Sequence, residues 1–483
     1  MNELFIGIND FLGAILFFDI LLGFGGEMKV PFLVAWLILG GLYLTILMRF
    51  INLRMFKHSY EVIRGRFRTK DDRGEIEPFA ALTTALSATV GLGNIAGVAL
   101  AVSIGGAGAT FWMIIAGFLG MSLKFTEVTL SLQHREFLKD GSVMGGPMEY
   151  LSKGLAQKGY AKFGKVLAVV FAFLMIGGAI GGGNTFQVSQ ALGVVQQQVS
   201  FFETNPLVFG MGLAVIVGAV IIGGVKRIAT VTAKVVPSMV VIYIGASLWI
   251  LGSNYDLIPH AFGLIFSEAF APHAVEGGIV GVIVQGFQRA VFSSEAGLGS
   301  SAVAHAPAKV KHPVSQGMVA LYEPFIDTVV VCTMTALVII ITGVHDPING
   351  FGELIAAKQG AALTAAAYGS VVWWFPTILS ISIVLFAFST MISWSYYGER
   401  AWVYLFGSKY SLIYKLIFLG LAMIASIVST DIMVDFSFYL ILAMALPNIL
   451  GLFILSSGVK KELDSYLAKL KAGKLDKEVK RLH

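Results

Sequence analysis

Glu77-Pro78-Phe79-Ala80-Ala81-Leu82-Thr83-Thr84-Ala85-Leu86-Ser87-Ala88-Thr89-Val90-Gly91-Leu92-Gly93-Asn94-Ile95-Ala96-Gly97-Val98-Ala99 is long and apolar enough to cross a bilayer, yet Gly91, Gly93 and Asn94 interrupt it at mid-depth. Glycine disfavours helix interiors, and unwound backbone survives in a membrane only inside protein or against a water-filled cavity. A span broken at its middle therefore points to a site where backbone amides and carbonyls hold something small and polar. Secondary transporters build their binding sites in this way.

The rest of the chain supplies the membrane context. Its 483 residues are 56% hydrophobic and 13% charged, more apolar surface than a water-soluble protein of this size can hide. Apolar runs of roughly 20 residues, the length that crosses a ~30 Å hydrocarbon core, recur throughout. The net charge of +5 is no nucleic-acid signature, because the basic residues sit in short loops between apolar runs. The single cysteine, Cys332, excludes an intrachain disulfide and a thiol metal cluster. Metal-ligand spacing, a nucleophile elbow and a P-loop are missing, so neither enzyme chemistry nor ATP coupling has support. The first two dozen residues carry Asp10 and Asp19 and no basic leader, and they read as an amphipathic surface helix rather than a cleaved signal.

Eleven spans are expected, near 29–50, 78–104, 108–133, 164–192, 206–224, 229–252, 275–303, 314–343, 367–396, 411–430 and 433–457. The loops then alternate in charge. One side collects Arg49 to Arg73 (with Lys70), Arg135 to Lys165 (with Lys139), Lys226, Arg227, Lys234, Lys309, Lys311, Arg400, Lys409 and Lys415, and the tail bases through Lys477, Lys480 and Arg481. The other side receives only Lys29 and Lys358. Positive charge stays cytoplasmic, which puts the C-terminus inside, the N-terminus outside and the chain in the plasma membrane. The expected organisation is 1–77 (amphipathic helix, first span and basic loop), a core of 78–457, and a basic cytoplasmic tail, 458–483, able to touch anionic lipid.

The seventh span repeats the glycine signature as Ala296-Gly297-Leu298-Gly299-Ser300, five spans after Val90-Gly91-Leu92-Gly93-Asn94. An odd separation means that the two segments cross in opposite directions, the mark of an inverted repeat of about 78–252 against 275–457. At the first break, the amides freed around Gly91, Leu92 and Gly93 suit a carboxylate, and carbonyls freed near Thr89, with the Asn94 oxygen, suit a hard monovalent cation. The competing reading is that these glycines only permit close helix packing. Ser389 and Thr390 in the ninth span offer adjacent hydroxyls for a sodium shell, or merely bond the preceding turn. Trp394, one turn on, is placed to close a pocket or to anchor at the interface. Asn184, Gln187, Gln285 and Phe287 lie near the breaks as candidate solute contacts, or as interhelical bonds and packing. Lys124, Glu127, Arg289, Glu295, Glu323 and Asp327 fall in or near spans and read first as gates and structural ion pairs.

Several segments then carry a family resemblance: Thr89 to Gly97, Gly105-Gly106-Ala107-Gly108-Ala109-Thr110-Phe111-Trp112-Met113, Met144-Gly145-Gly146-Pro147-Met148, Glu295 to Ser300, and Tyr396-Tyr397-Gly398-Glu399-Arg400. Together, from about Phe79 to Phe406, they resemble the alanine or glycine:cation symporters, with Thr110, Ile114 and Ser294 departing from the common pattern. The resemblance implies an all-α leucine-transporter-type fold and sodium-coupled uptake of alanine or glycine by alternating access. The first break is also similar to that of the neurotransmitter:sodium symporters. That likeness implies substrate carboxylate on the glycine-region amides, one sodium on Thr89 and Asn94, and a second on Ser87, Val90, Ser389 and Thr390. Proton coupling, with Glu127 or Glu295 as the carrier, is the alternative; an ion channel would want charge rings or a repeated filter, which the chain does not display.

Overall fold

The computed structural model describes residues 2–21, 29–69, 72–138, 143–270, 278–372 and 374–475; the side chains at 225, 226, 229 and 233 lie outside that description. Lys70, Lys139, the tail bases Lys477, Lys480 and Arg481, the Lys226 side chain and the expected first residues of the seventh span, 275–277, fall outside it too. Among the described residues, seven helices are long and apolar enough to cross a membrane, and an eighth crossing is the pair Pro78–Thr89 and Gly93–Gly105, bent by 51°. Shorter apolar helices, Phe32–Leu47 and Pro206–Ile221, occupy the expected first and fifth spans. The seventh span is split into Gly278–Ser294 and Ser300–His305. Apart from the ninth, the expected spans thus coincide with a helix, a run of helices or a broken pair.

Prolines open several of these helices, as at Pro78, Pro206 and Pro313, where a first-turn residue has no amide to lose. The first half of the second span packs on the ninth, Phe375–Phe406; the fourth, Ala161–Gln198, also packs on the ninth, and the seventh on the third, Ala109–His134. The two broken spans therefore run side by side through the middle of the helix bundle.

The ninth span differs from its expected 367–396. It begins at Phe375 and runs to Phe406, and residues Gly360–Val371 form a separate, mostly buried helix. Trp374-Phe375-Pro376 ends one element and starts the next, and periodicity alone does not reveal a junction inside a continuous apolar run. The separate helix packs on the second span just after its break: Thr364 donates to the Ile95 carbonyl at 3.1 Å. Gln190 clamps its approach by donating to the Lys358 carbonyl (2.9 Å) and accepting from the Ala361 amide (3.0 Å). At the opposite end, the segment before the second span pairs with the segment after the seventh through bridges Arg73–Val310 and Ile76–Ala308. The Arg135 guanidinium ties that pairing by donating to the carbonyls of Arg73, Ala306, Ala308 and Val310 at 2.7–3.2 Å.

The N-terminal helix Asn2–Leu16 packs against the start of the eleventh span, with Phe5 edge-on to Phe436 and Asn9 donating to the Ile432 carbonyl. Ala445–Lys471 is one continuous helix, so the basic tail grows directly out of the last span.

Candidate functional site

The first break is built by Asn94. Helix ends after Thr89, Val90 leaves helical geometry, and the Gly91 amide donates to Asn94 Oδ1 at 2.9 Å. The Asn94 amide nitrogen donates to Asp327 Oδ1 (2.7 Å) and to the Asp327 carbonyl (3.1 Å) in the eighth span. The bend is short because the side chain three residues on satisfies the backbone it frees. Gly91 is demanded by close approach: a Cβ there would meet Thr390 Oγ1 at 2.4 Å.

The second break is longer. Residues 295–299 carry left-handed backbone at Glu295 (φ 57°), Gly297 (φ 88°) and Gly299 (φ 79°). A non-glycine residue in that region is strained, by about 1–3 kcal/mol, and such strain concentrates at functional sites.

Between the breaks lies a small cavity, about 10 Å³ measured to water-centre positions, room for about one water. Thr89, Gly91 and Gly93 of the second span border it together with Gln187, Thr390 and Trp394. Those residues, separate in the sequence, are brought together by the fold. Trp394, 1% exposed, presses on the fourth span so closely that a Cβ at Gly183 would lie 2.3 Å from its own. Gln187 donates to the Gly182 carbonyl at 2.8 Å and keeps its buried Oε1 without a partner.

The hydroxyl group beside the cavity is also gathered. Thr390 Oγ1 is 3.5 Å from the Ser87 carbonyl, and Ser87 Oγ donates to the Ser389 carbonyl at 3.3 Å. Ser389 Oγ itself turns back to the Phe386 carbonyl at 3.0 Å. Val90 is buried at the break.

Four expected contacts point elsewhere. Asn184 donates to the Phe418 carbonyl at 2.6 Å in the tenth span. Gln285 packs under Gly105, away from the cavity. Phe287 and Leu92 are buried but do not border it. The fourth span explains the first case. Residues 181–185 form a wide π-type turn, and the extra residue rotates everything after it, so Asn184 and Gln187 do not share a face as an α-helix would dictate.

Other site residues emerge only from the fold. Phe292 and Ile441 wall the cavity, Phe292 held edge-on by Phe186. Ser393 donates to Ser87 Oγ at 3.0 Å, adding a hydroxyl one turn from Thr390. Asp327, fully buried, accepts from Asn94, from Ser293 Oγ (2.8 Å) and from Thr328 Oγ1 (2.9 Å), all of them neutral donors. A carboxylate in a span was the available signal for Asp327, and it pointed to an ion pair; the nearest buried ammonium, Lys124, pairs with Glu323 instead.

Known proteins resemble this chain in fold and in sequence. L-phenylalanine-bound MhsT superposes with a TM-score of 0.55 over 79% of this chain and 90% of its own, at 15% identity, which establishes the leucine-transporter-type fold. The sodium/alanine symporter AgcS of Methanococcus maripaludis is 40% identical over 437 residues, 90% of this chain and 94% of its own. A putative sodium/proton-dependent alanine carrier, YrbD of Bacillus subtilis, is 36% identical over 400 residues, 81% of this chain and 79% of its own. The family model described as the sodium:alanine symporter family matches residues 19–481. The chain is an integral membrane transporter and belongs to the sodium:alanine symporter family.

Proposed function

We propose that the protein imports alanine and glycine across the plasma membrane with sodium by alternating access, its N-terminus outside and its C-terminus in the cytoplasm. The observation that carries this reading is the cavity shared by Gly91, Gly93, Gln187 and Trp394 at the two breaks. Backbone amides near Gly91 and Gly93 take the substrate carboxylate, with the dipole of the half-helix behind them. The unpartnered Gln187 oxygen takes the ammonium.

Sodium takes two places. One lies at Thr89 and Asn94, where Asp327 supplies the negative charge that neutralises it; the Asn94 amide turns from Asp327 to offer its oxygen. The other lies among the Ser87 and Val90 carbonyls and the Thr390, Ser389 and Ser393 hydroxyls. The cavity, with room for about one water, fits a closed intermediate whose walls part to load. The charge asymmetry of the loops supports the orientation. The core is proposed to be the two inverted halves, 78–252 and 275–457.

Selection is by bulk. Each extra methylene would otherwise favour binding by about 0.8 kcal/mol, so larger side chains must be refused sterically, by Trp394 and Phe292. Purified protein in liposomes should accumulate labelled alanine under an inward sodium gradient and glycine should compete; no sodium-dependent uptake of any small amino acid rejects the proposal.

A further inference from the structure

On the side of the cavity away from the Arg135-tied pairing, the seventh span carries a guanidinium that none of the proposed sodium and substrate contacts uses. Arg289 stands three residues before Phe292 on the helix Gly278–Ser294, on the same face and one turn further from the second break. The eleventh span repeats that spacing. Ile441 walls the cavity, Phe438 lies one turn beyond it, and Asp435 one turn beyond that. Phe438 joins the two ladders. Its ring centroid lies 5.7 Å from that of Phe292, and the Arg289 guanidinium carbon sits 4.8 Å from the same ring.

Arg289 is 6% exposed, and its buried Nε and Nη1 have no hydrogen-bond partner among the described residues. The carboxylate in its electrostatic reach, Asp435, is held at 2.6 Å by Lys358, whose carbonyl is in turn bound by Gln190. Tyr439, also in reach, is a phenol. A guanidinium stays charged in protein, so burial leaves a cation with unfilled N–H donors. The Phe438 face offsets part of that cost but accepts none of the N–H bonds aimed past it. The planar fork of donors matches a carboxylate, which two parallel hydrogen bonds can hold.

The position supplies the ligand. An amino acid that enters between the seventh and eleventh spans meets the layer of Arg289 and Phe438 before the layer of Phe292 and Ile441. We propose that Arg289 forms an outer carboxylate site, where an incoming amino acid docks its carboxylate on the guanidinium and its small side chain on Phe438 before passing Phe292 to the first break. Chloride offers the same charge, and the experiment separates the two sources. The proposal rests on the transport reading above, and a binding measurement tests it apart from transport.

Propionate, which is alanine without its ammonium, is the probe. It should raise the melting temperature of the purified protein and compete with labelled alanine for uptake into liposomes under a sodium gradient. Arg289→Gln should lose both effects and raise the alanine KM at least about tenfold, with a smaller effect on the maximal rate. Arg289→Lys should keep part of both effects with an intermediate KM, because an ammonium attracts a carboxylate but lacks the planar fork.

Propionate acting alike on the wild type and Arg289→Gln, or an unchanged KM, overturns the proposal and leaves the sodium-coupled reading intact. Wild-type uptake that falls when external chloride is replaced by methanesulfonate, with no such fall in Arg289→Gln, assigns the anion to chloride and overturns the carboxylate site. Stabilisation by propionate that depends on Arg289, in a protein that accumulates no amino acid, supports the site and removes the transport reading. If Arg289→Gln does not fold, Arg289→Lys decides by the same comparison.

Discussion

The two breaks solve the same problem with different chemistry. In the second span, a three-residue interruption is satisfied almost at once, by Asn94 capping Gly91 and leaning on Asp327. In the seventh, five residues run through three left-handed positions, Glu295 among them, and the Gly299 amide donates to Glu127 at 3.1 Å. One break is tight, neutral apart from a single acid, and close to the ninth-span hydroxyls. The other is strained and surrounded by charge. A tight break preorganises backbone groups for a ligand, whereas a strained one stores freedom to move and responds to changes of charge. The contrast sets backbone groups beside hydroxyls at the first break against strained backbone beside buried charge at the second.

The sharpest way to break that contrast is Gly91→Val. Its Cβ would meet Thr390 Oγ1 at 2.4 Å, forcing the two spans apart at the site. Alanine uptake should fall by more than about 100-fold, about 2.8 kcal/mol at 1.4 kcal/mol per decade, with the protein still present in the membrane. Near-normal uptake would show that the first break is not the recognition element.

Asn94→Leu should come next. It removes the Gly91 cap and leaves Asp327 with fewer donors, so sodium affinity should drop at least about tenfold, the effect of losing one ~1.4 kcal/mol interaction. The half-saturating sodium concentration for alanine uptake measures it, and a wild-type value refutes the cation assignment. Thr390→Val tests the other cation place in the same assay, with a smaller loss of about five- to tenfold, within the roughly 1–1.5 kcal/mol of a single hydroxyl interaction.

Trp394→Ala probes the wall rather than the breaks. Removing so large a buried side chain costs about 3–5 kcal/mol of stability. The enlarged space should admit valine or leucine as competitors of labelled alanine. A variant that binds alanine normally and still rejects every larger amino acid places the size filter elsewhere, with Phe292 the next residue to truncate.

The smallest effect is expected at Asn184→Ala. Its amide bonds the Phe418 carbonyl, outside the cavity, so the loss should appear as about 1–3 kcal/mol of stability from an unsatisfied buried carbonyl. The alanine KM should stay within about twofold, under 0.5 kcal/mol. A large KM change would return Asn184 to the binding surface.

The spans and the breaks were legible in the chain because their signals are local. Twenty apolar residues can lie in only one kind of place, and Gly91, Gly93, Gly297 and Gly299 interrupt two of those runs at matching positions. Gln187 and Trp394 were legible too, as a polar and a bulky residue close to the interruptions. Asn184 turns away from the cavity because helical facing is predictable only while the helix stays regular, and the π-type turn at 181–185 shifts the phase between Asn184 and Gln187; Gln285 and Phe287 stand on a regular helix whose rotation against its neighbours the sequence does not state. The boundary at Phe375 was hidden for a related reason: an apolar helix that covers the core and an apolar span look alike in composition.

By itself, the sequence determined a membrane transporter with two interrupted spans, since hydrocarbon tolerates so few alternatives for the backbone. The tertiary structure decided which side chains meet at the interruptions. Asp327, Phe292 and Ser393 join the site through packing between spans far apart in the chain, with Asn94 and Asp327 separated by 233 residues. Glu295 becomes distinct from Glu127 and Glu323 because it alone of them borders the cavity. Such differences depend on the rotation and depth of each helix against its neighbours, quantities set by the sum of many weak contacts and written in no single segment of the chain.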